Sequence, residues 1–206
     1  MSALTLFYAS GTCALATLIA LEEAGAAYTL HTVDFSQQEQ LSPAFLALNP
    51  KGRVPALRLP DGTVLTESVA LLAYVAQAYP AARLAPTAPA DFARMQAFNS
   101  YLASTVHVAH AHRRRGSRWA DSEAAIAAMQ AKVPQNMADC FTYIETHALQ
   151  GPWVLGEDYS VADAYLFTMA GWLAGDGVDI QQFPKVAAHT ERMRARAAVQ
   201  AALQHI

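Results

Sequence analysis

Strand patterning occupies only the first third of this 206-residue chain, and everything beyond it is patterned for helix. Any sheet must therefore be small and built before residue 70. Leu4 to Tyr8 is a β-rich run that stops at the turn Ser10-Gly11-Thr12. Cys13 to Ala24 carries apolar residues at helical spacing (Leu15, Leu18, Ile19), with Gly25 as its C-terminal stop. Tyr28 to Val33 reads as a second strand, and a β-α-β unit of this size makes a parallel pair with a right-handed crossover. Pro43 to Leu48 is a short helical piece. Val54 to Leu59 and Thr63 to Leu65 flank Pro60-Asp61-Gly62, a strong hairpin signal, and Glu67 to Tyr79 follows as a helix.

The order β-α-β-α-β-β-α is that of a thioredoxin-like domain, expected over residues 1–80. Pro80, Pro86 and Pro89 punctuate the next ten residues, so 81–89 reads as a linker. Residues 90–206 read as an all-helical domain. One long helix is expected from Asp91 to about His112 and another from Asp121 to about Leu149, with Pro134 as a site for a kink. Ser160 to Gly175, Phe183 to Arg196 and a short tail helix complete it. The expected fold class is an α/β thioredoxin-like N-terminal domain plus an all-α C-terminal helical domain.

Hydrophobic residues make up 53% of the chain and charged ones 15%, enough for a full core and unlike a disordered segment. A net charge of −3 gives no reason to expect nucleic acid as a partner. No apolar run approaches the roughly 18 residues of a membrane span. The first residues lack the basic region and cleavage site of a signal peptide. Cys13 and Cys140 lie far apart, so neither a structural disulfide nor a cysteine-based zinc site is expected, and a reducing cytoplasm fits.

Two segments carry chemistry. In Asn49-Pro50-Lys51-Gly52-Arg53-Val54-Pro55-Ala56-Leu57, Pro55 either simply opens an edge strand or takes a cis bond. The cis form turns the Val54 N–H and C=O outward to pair with an extended ligand. In Thr66-Glu67-Ser68, the hydroxyls and carboxylate read as a helix cap. They also read as a ligand seat, with free backbone donors for a carboxylate and Glu67 for an ammonium. Together these segments suit a small peptide-like cofactor bearing an amine and a carboxylate.

Cys13 sits at a strand-to-helix turn, where a helix N-terminus lowers a thiol pKa, or it is a small buried apolar residue. Ser10 on the same turn could donate to a bound thiolate, and Tyr8 on the strand end is a third candidate. His107 and His110 share a helix face at a spacing that could hold a metal, but no acidic third ligand lies nearby in the sequence. No metal is expected. Arg113, Arg114 and Arg115, with Arg118, read as a solvated helix end, and a basic rim for anionic substrates is the sharper alternative. Ser160-Val161-Ala162-Asp163 has the form of a capping box, with Tyr159 placed as a staple residue.

Six segments in the right order carry a resemblance over essentially the whole chain. They are Phe7-Tyr8, Gly11-Thr12-Cys13, the Asn49 to Leu57 segment, Leu65-Thr66-Glu67-Ser68, Leu102-Ala103-Ser104 before His107, and Ser160 to Phe167. The chain resembles a cytosolic glutathione S-transferase, most nearly of the bacterial beta class. The resemblance implies that Val54 and Pro55 hold the cysteinyl backbone of glutathione and that Glu67 and Ser68 hold its γ-glutamyl end. Cys13 matches the class cysteine beside the glutathione sulfur, and His107 the class histidine that reaches the site from the first long helix. A homodimer is also implied. The chain departs from the class at Ala14, Val108, Thr105 and Ser100, and Gln38 stands where a loop lysine meets the glycyl carboxylate.

The expected activity is conjugation of the glutathione thiolate to a small hydrophobic electrophile, with Cys13, Ser10 and His107 as the catalytic candidates. The electrophile is expected against Tyr8, Tyr101, Val108 and Trp172. Two rivals remain at this point. One is thiol–disulfide or peroxide reduction through a Cys13 mixed disulfide. The other is a non-catalytic ligand carrier or regulatory protein on the same fold.

Overall fold

The computed structural model describes residues 4–205. Leu4–Tyr8 (β1), Tyr28–Thr32 (β2), Ala56–Arg58 (β3) and Val64–Thr66 (β4) form one mixed sheet in the order β2-β1-β3-β4. Ala14–Glu23 (α1) is the crossover between β1 and its parallel partner β2, while β3 and β4 form an antiparallel hairpin. The ladder of β3 begins only at Ala56, two residues later than the apolar run suggests. Pro55 has no N–H to give a ladder, and its bond to Val54 is cis.

Side-chain parity along β1 divides the core. Leu4, Leu6 and Tyr8 point into the main cluster with α1, while Phe7 joins Val33, Phe45 and Ala56 in a smaller cluster on the other face. Pro43–Leu48 (α2) covers that second face, capped by Ser42 Oγ, which accepts from the Phe45 N–H at 3.2 Å. Ser68–Ala78 (α3) starts one residue later than expected, because Glu67 leaves the helical region altogether (φ 73°, ψ 119°).

The first long helix is interrupted where the sequence suggests continuity. Pro89–Tyr101 (α4) passes into a π-helical turn, Leu102–Val106, and then into His107–Arg115 (α5). α4 begins inside the stretch expected as linker, since proline suits the first helical position. Glu123–Tyr143 (α6) runs unbroken through Pro134 and ends in a second π-helical turn, Ile144–Ala148. Val161–Ala170 (α7), Pro184–Arg194 (α8) and Ala197–Leu203 (α9) follow, α7 being shorter than its apolar pattern.

All ten residues of α7 are buried, as a helix apolar on every side must be. It packs against α1, α3, α4 and α8, so one continuous core joins the sheet half to the helical half. The capping box at its start is closed: Asp163 accepts from the Ser160 N–H at 2.8 Å and Ser160 caps in return. Asp163 also accepts from the Val154 N–H at 2.8 Å and lies 3.0 Å from His189 Nε2, with both side chains fully buried.

Candidate active site

A cleft of about 600 Å³ opens between the sheet half and α5. One wall comes from the turn after β1, the segment before β3 and the start of α3. The other comes from one row of α5 and its preceding turn: Ala103, His107, Ala111 and Arg115, each four residues from the last. π-helical turns recur at functional sites, and this one ends immediately before His107.

Cys13 occupies the cap position of α1, buried, with its sulfur 3.8 Å from the Val54 carbonyl oxygen. Burial raises its thiol above the ordinary value, and the hydroxyl of Ser68 and the charge of Arg115 oppose that only in part. Of the two readings of Cys13, its burial and raised thiol fit the small buried residue. Desolvation outweighs the dipole because the sulfur is enclosed. Thr12 takes the role of local hydroxyl, donating to Ala9 O at 2.6 Å and accepting from the Ala14 N–H at 3.3 Å.

Glu67 has a left-handed backbone that a non-glycine residue adopts only where its surroundings enforce it. Its carboxylate is exposed to the cleft and lies 2.7 Å from Lys51 Nζ, which also donates to Thr66 Oγ1 at 2.7 Å. Ser68 behind it is buried. The loop carrying Lys51 is held by the buried Asn49, whose amide donates to Arg53 O at 2.7 Å. Gly52 in that loop has φ +61°, and a Cβ there would stand 3.1 Å from Gln40 O, so the two loops can meet only with glycine at this point.

His107 is held neutral. Burial first, then the charges of Arg115, His110, Arg53 and Arg118, bring its pKa down to about 4. Trp172 closes the far side. Its indole N–H donates to Gly11 O at 3.2 Å, its ring stacks on His110 at 4.1 Å, and its edge meets His107 at 5.0 Å. An acidic neighbour of His110 does exist: the buried Asp176, 2.7 Å from His110 Nδ1 and 3.5 Å from Arg113. It comes from 66 residues away, so inspection of the local sequence missed it. Among the described residues, no three of His, Cys, Asp and Glu are grouped to hold a metal ion.

The cleft thus gathers Cys13, Val54, Pro55, Glu67, Ser68 and His107, together with Val108 and Trp172. Four expected site residues are not in its lining. Tyr8 is fully buried, and its hydroxyl donates to His205 O at 3.3 Å, because strand parity turns it to the core. Tyr101 packs on Tyr143 at 4.9 Å and donates to Cys140 O at 3.4 Å. It stands before the π-helical turn that precedes His107, and its ring packs toward α6 rather than into the cleft. Ser10 is exposed outside the cleft. Gln38 takes an exposed left-handed position, while its neighbours Gln40 and Leu41 line the cleft.

Other lining residues were not among the expected site residues. Tyr165 faces Ser68 and Cys13, and a tyrosine on an all-buried helix signals a hydroxyl in need of a partner. Gln40 holds a buried Oε1 without a partner. Lys51, Arg53, Arg115 and Arg118 make the lining strongly basic. The arginine run divides between its two readings: Arg114 is a solvated helix end, while Arg115 and the exposed Arg118 line the cleft as a basic rim. Arg113 pairs with Asp176.

The glutathione S-transferase N-terminal domain model matches residues 11–78, and the corresponding C-terminal domain model matches residues 113–192. The glutathione S-transferase GstA of Escherichia coli O157:H7 is 33% identical over 200 residues, covering 96% of each chain. The chain belongs to the glutathione S-transferase family. A solved glutathione transferase homologue from Sulfitobacter, with bound glutathione, is 51% identical with a TM-score of 0.97, over 99% of this chain and 98% of that one. The bacterial beta-class glutathione S-transferase of Sphingomonas chungbukensis is 34% identical with a TM-score of 0.84, over 97% of each chain. In this family member, the sheet half with Glu67 and Val54 and the helical half with His107 meet across the cleft described above.

Proposed function

We propose that this glutathione S-transferase conjugates the thiolate of glutathione to a small hydrophobic electrophile held between the sheet half and α5. The observation that carries the reading is Glu67. Its backbone is left-handed, its carboxylate faces the cleft, and Ser68 and the N-terminus of α3 stand beside it. An ammonium and a carboxylate on one ligand end match that pair of complementary groups. Lys51 holds the Glu67 carboxylate until the γ-glutamyl end replaces it, at small cost because both side chains are solvated. The Val54 backbone, ahead of the β3 ladder, then pairs with the cysteinyl unit, which brings the ligand sulfur toward Cys13.

The chemistry needs a thiolate near neutral pH. Cys13, raised by burial, serves as a neutral S–H donor to that sulfur, and Arg115 adds positive charge nearby. Neutral His107 stands across the cleft as a hydrogen-bonding partner for the reacting groups. Burial of Cys13 weighs against the reductase reading, since a thiolate is the attacking species in disulfide exchange. The reading takes 1–80 and 90–206 as the two domains, joined by 81–89. It also includes a homodimer in the cytoplasm that works without a metal.

Calorimetric titration of glutathione into wild type and Glu67→Ala tests this. Loss of a charge-assisted contact should weaken binding about tenfold or more in the variant. Wild type that fails to bind millimolar glutathione would end the proposal.

A further inference from the structure

Three guanidinium groups stand on the cleft without an acidic partner. Arg53 comes from the segment before β3, Arg115 from the last turn of α5, and Arg118 from the turn that follows. Among the described residues none of the three has a carboxylate within 4.0 Å. Arg94, Arg113 and Arg196, by contrast, are all paired with acids. Proximity of like charges is costly, and here it is felt within the group: Arg118 is lowered by burial and by the charges of Arg115 and Arg53. A folded chain keeps such a cluster where an anion is to be received.

We infer that Arg115 and Arg118 form a carboxylate seat in the electrophile half of the cleft, so that the preferred electrophiles are flat aromatic or conjugated acids. The inference rests on the transferase reading above for its reaction. Its placement follows from the row Ala103, His107, Ala111, Arg115, which puts the guanidinium on the α5 wall across from Glu67 and Ser68. Arg53, next to Val54, lies on the other wall and closes the seat from the glutathione side. Trp119 and Phe35 are large hydrophobic side chains left exposed, and both line the cleft, giving a planar ligand surfaces to lie against. Guanidinium groups are planar and match a carboxylate bidentately, a fit that a neutral substituent lacks.

The matched electrophiles 4-chloro-3,5-dinitrobenzoate and 4-chloro-3,5-dinitrobenzamide test the inference. In each, the glutathione thiol gives its proton to solvent, sulfur bonds to the ring carbon, and the carbon–chlorine bond breaks to release chloride. The readout is the ratio of kcat/KM for benzoate over benzamide, each corrected for its uncatalysed rate. Wild type should favour the benzoate about tenfold or more, and rising salt should shrink that preference. In Arg115→Gln, Arg118→Gln and the double variant, the ratio should fall toward one. A wild-type ratio near or below one, or a preference that survives in the double variant, overturns the seat.

The glycyl carboxylate of glutathione is the other source of the same chemistry. If the double variant weakens glutathione binding about tenfold while the ratio stands, the arginines serve glutathione and the inference fails. If neither electrophile is turned over although glutathione binds, the transferase reading is what has failed. Titration of 3,5-dinitrobenzoate into protein saturated with S-methylglutathione then decides the seat. Binding that the double variant loses sustains it, and no binding in wild type overturns it.

Discussion

At the scale of single residues, the site is governed by the contest between burial and nearby charge. His107 is pressed to about 4 by both, since Arg115, His110, Arg53 and Arg118 all oppose a further cation. The unfolded chain, with an ordinary histidine near 6.5, binds that proton first as pH falls. Stability at His107 is therefore full above about pH 6.5 and declines down to about pH 4, by about 3 kcal/mol. Urea unfolding at pH 7 and pH 4.5 should show a smaller acid loss for His107→Asn than for wild type. Equal losses would mean that the ring is not held neutral in the folded protein. His107 itself was legible in the sequence from its place after Leu102-Ala103-Ser104, but its neutrality was not. Arg53 is far from it in the chain, and only the fold makes them neighbours.

At the scale of elements, α7 depends on its first turn. Asp163 meets two backbone N–H groups and His189, all in a fully buried setting. Asp163→Ala would strand those groups and should lower unfolding stability by about 3 kcal/mol or more. Ser160→Ala, which removes only the cap, should cost about 1 kcal/mol. Denaturant unfolding of the two variants checks the order, and a Ser160 variant as damaged as the Asp163 variant would contradict it. The capping box was readable from Ser160 and Asp163 because it spans three residues. The ties to Val154 and His189 were not, because they bring in separate segments. The π-helical turn at Leu102–Val106 also escaped the sequence, where apolar spacing runs straight through it.

At the scale of the whole molecule, the two halves share one core. α1 is buried against the sheet on one side and against α7 and α9 on the other. Polar links cross the boundary, among them Trp172 to Gly11, Tyr8 to His205, and Glu23 to Arg196, whose second guanidinium nitrogen lies 2.9 Å from Glu23 Oε2. A chain truncated after Pro80 would expose the α1 surface that packs on α7 and α9 and should not fold by itself. Far-UV circular dichroism of that truncation, beside one cooperative transition for the full chain, is the measurement. A stably folded fragment would show that the sheet half needs no cover.

The sequence by itself determined the element order and the hairpin at Pro60-Asp61-Gly62, and it singled out Val54, Glu67 and Ser68, which line the cleft. These rest on periodicity, turn chemistry and short motifs, all encoded within a few residues. Only the tertiary structure decided which neighbours in the chain become neighbours in the cleft. Arg113, Arg114 and Arg115 are consecutive, yet each points about 100° from the last around α5. The buried Asp176 draws the first, solvent takes the second, and the third is left facing Cys13 and His107. A local pattern can say that three cations occur together. Where each one points depends on what α5 packs against, which no local pattern contains.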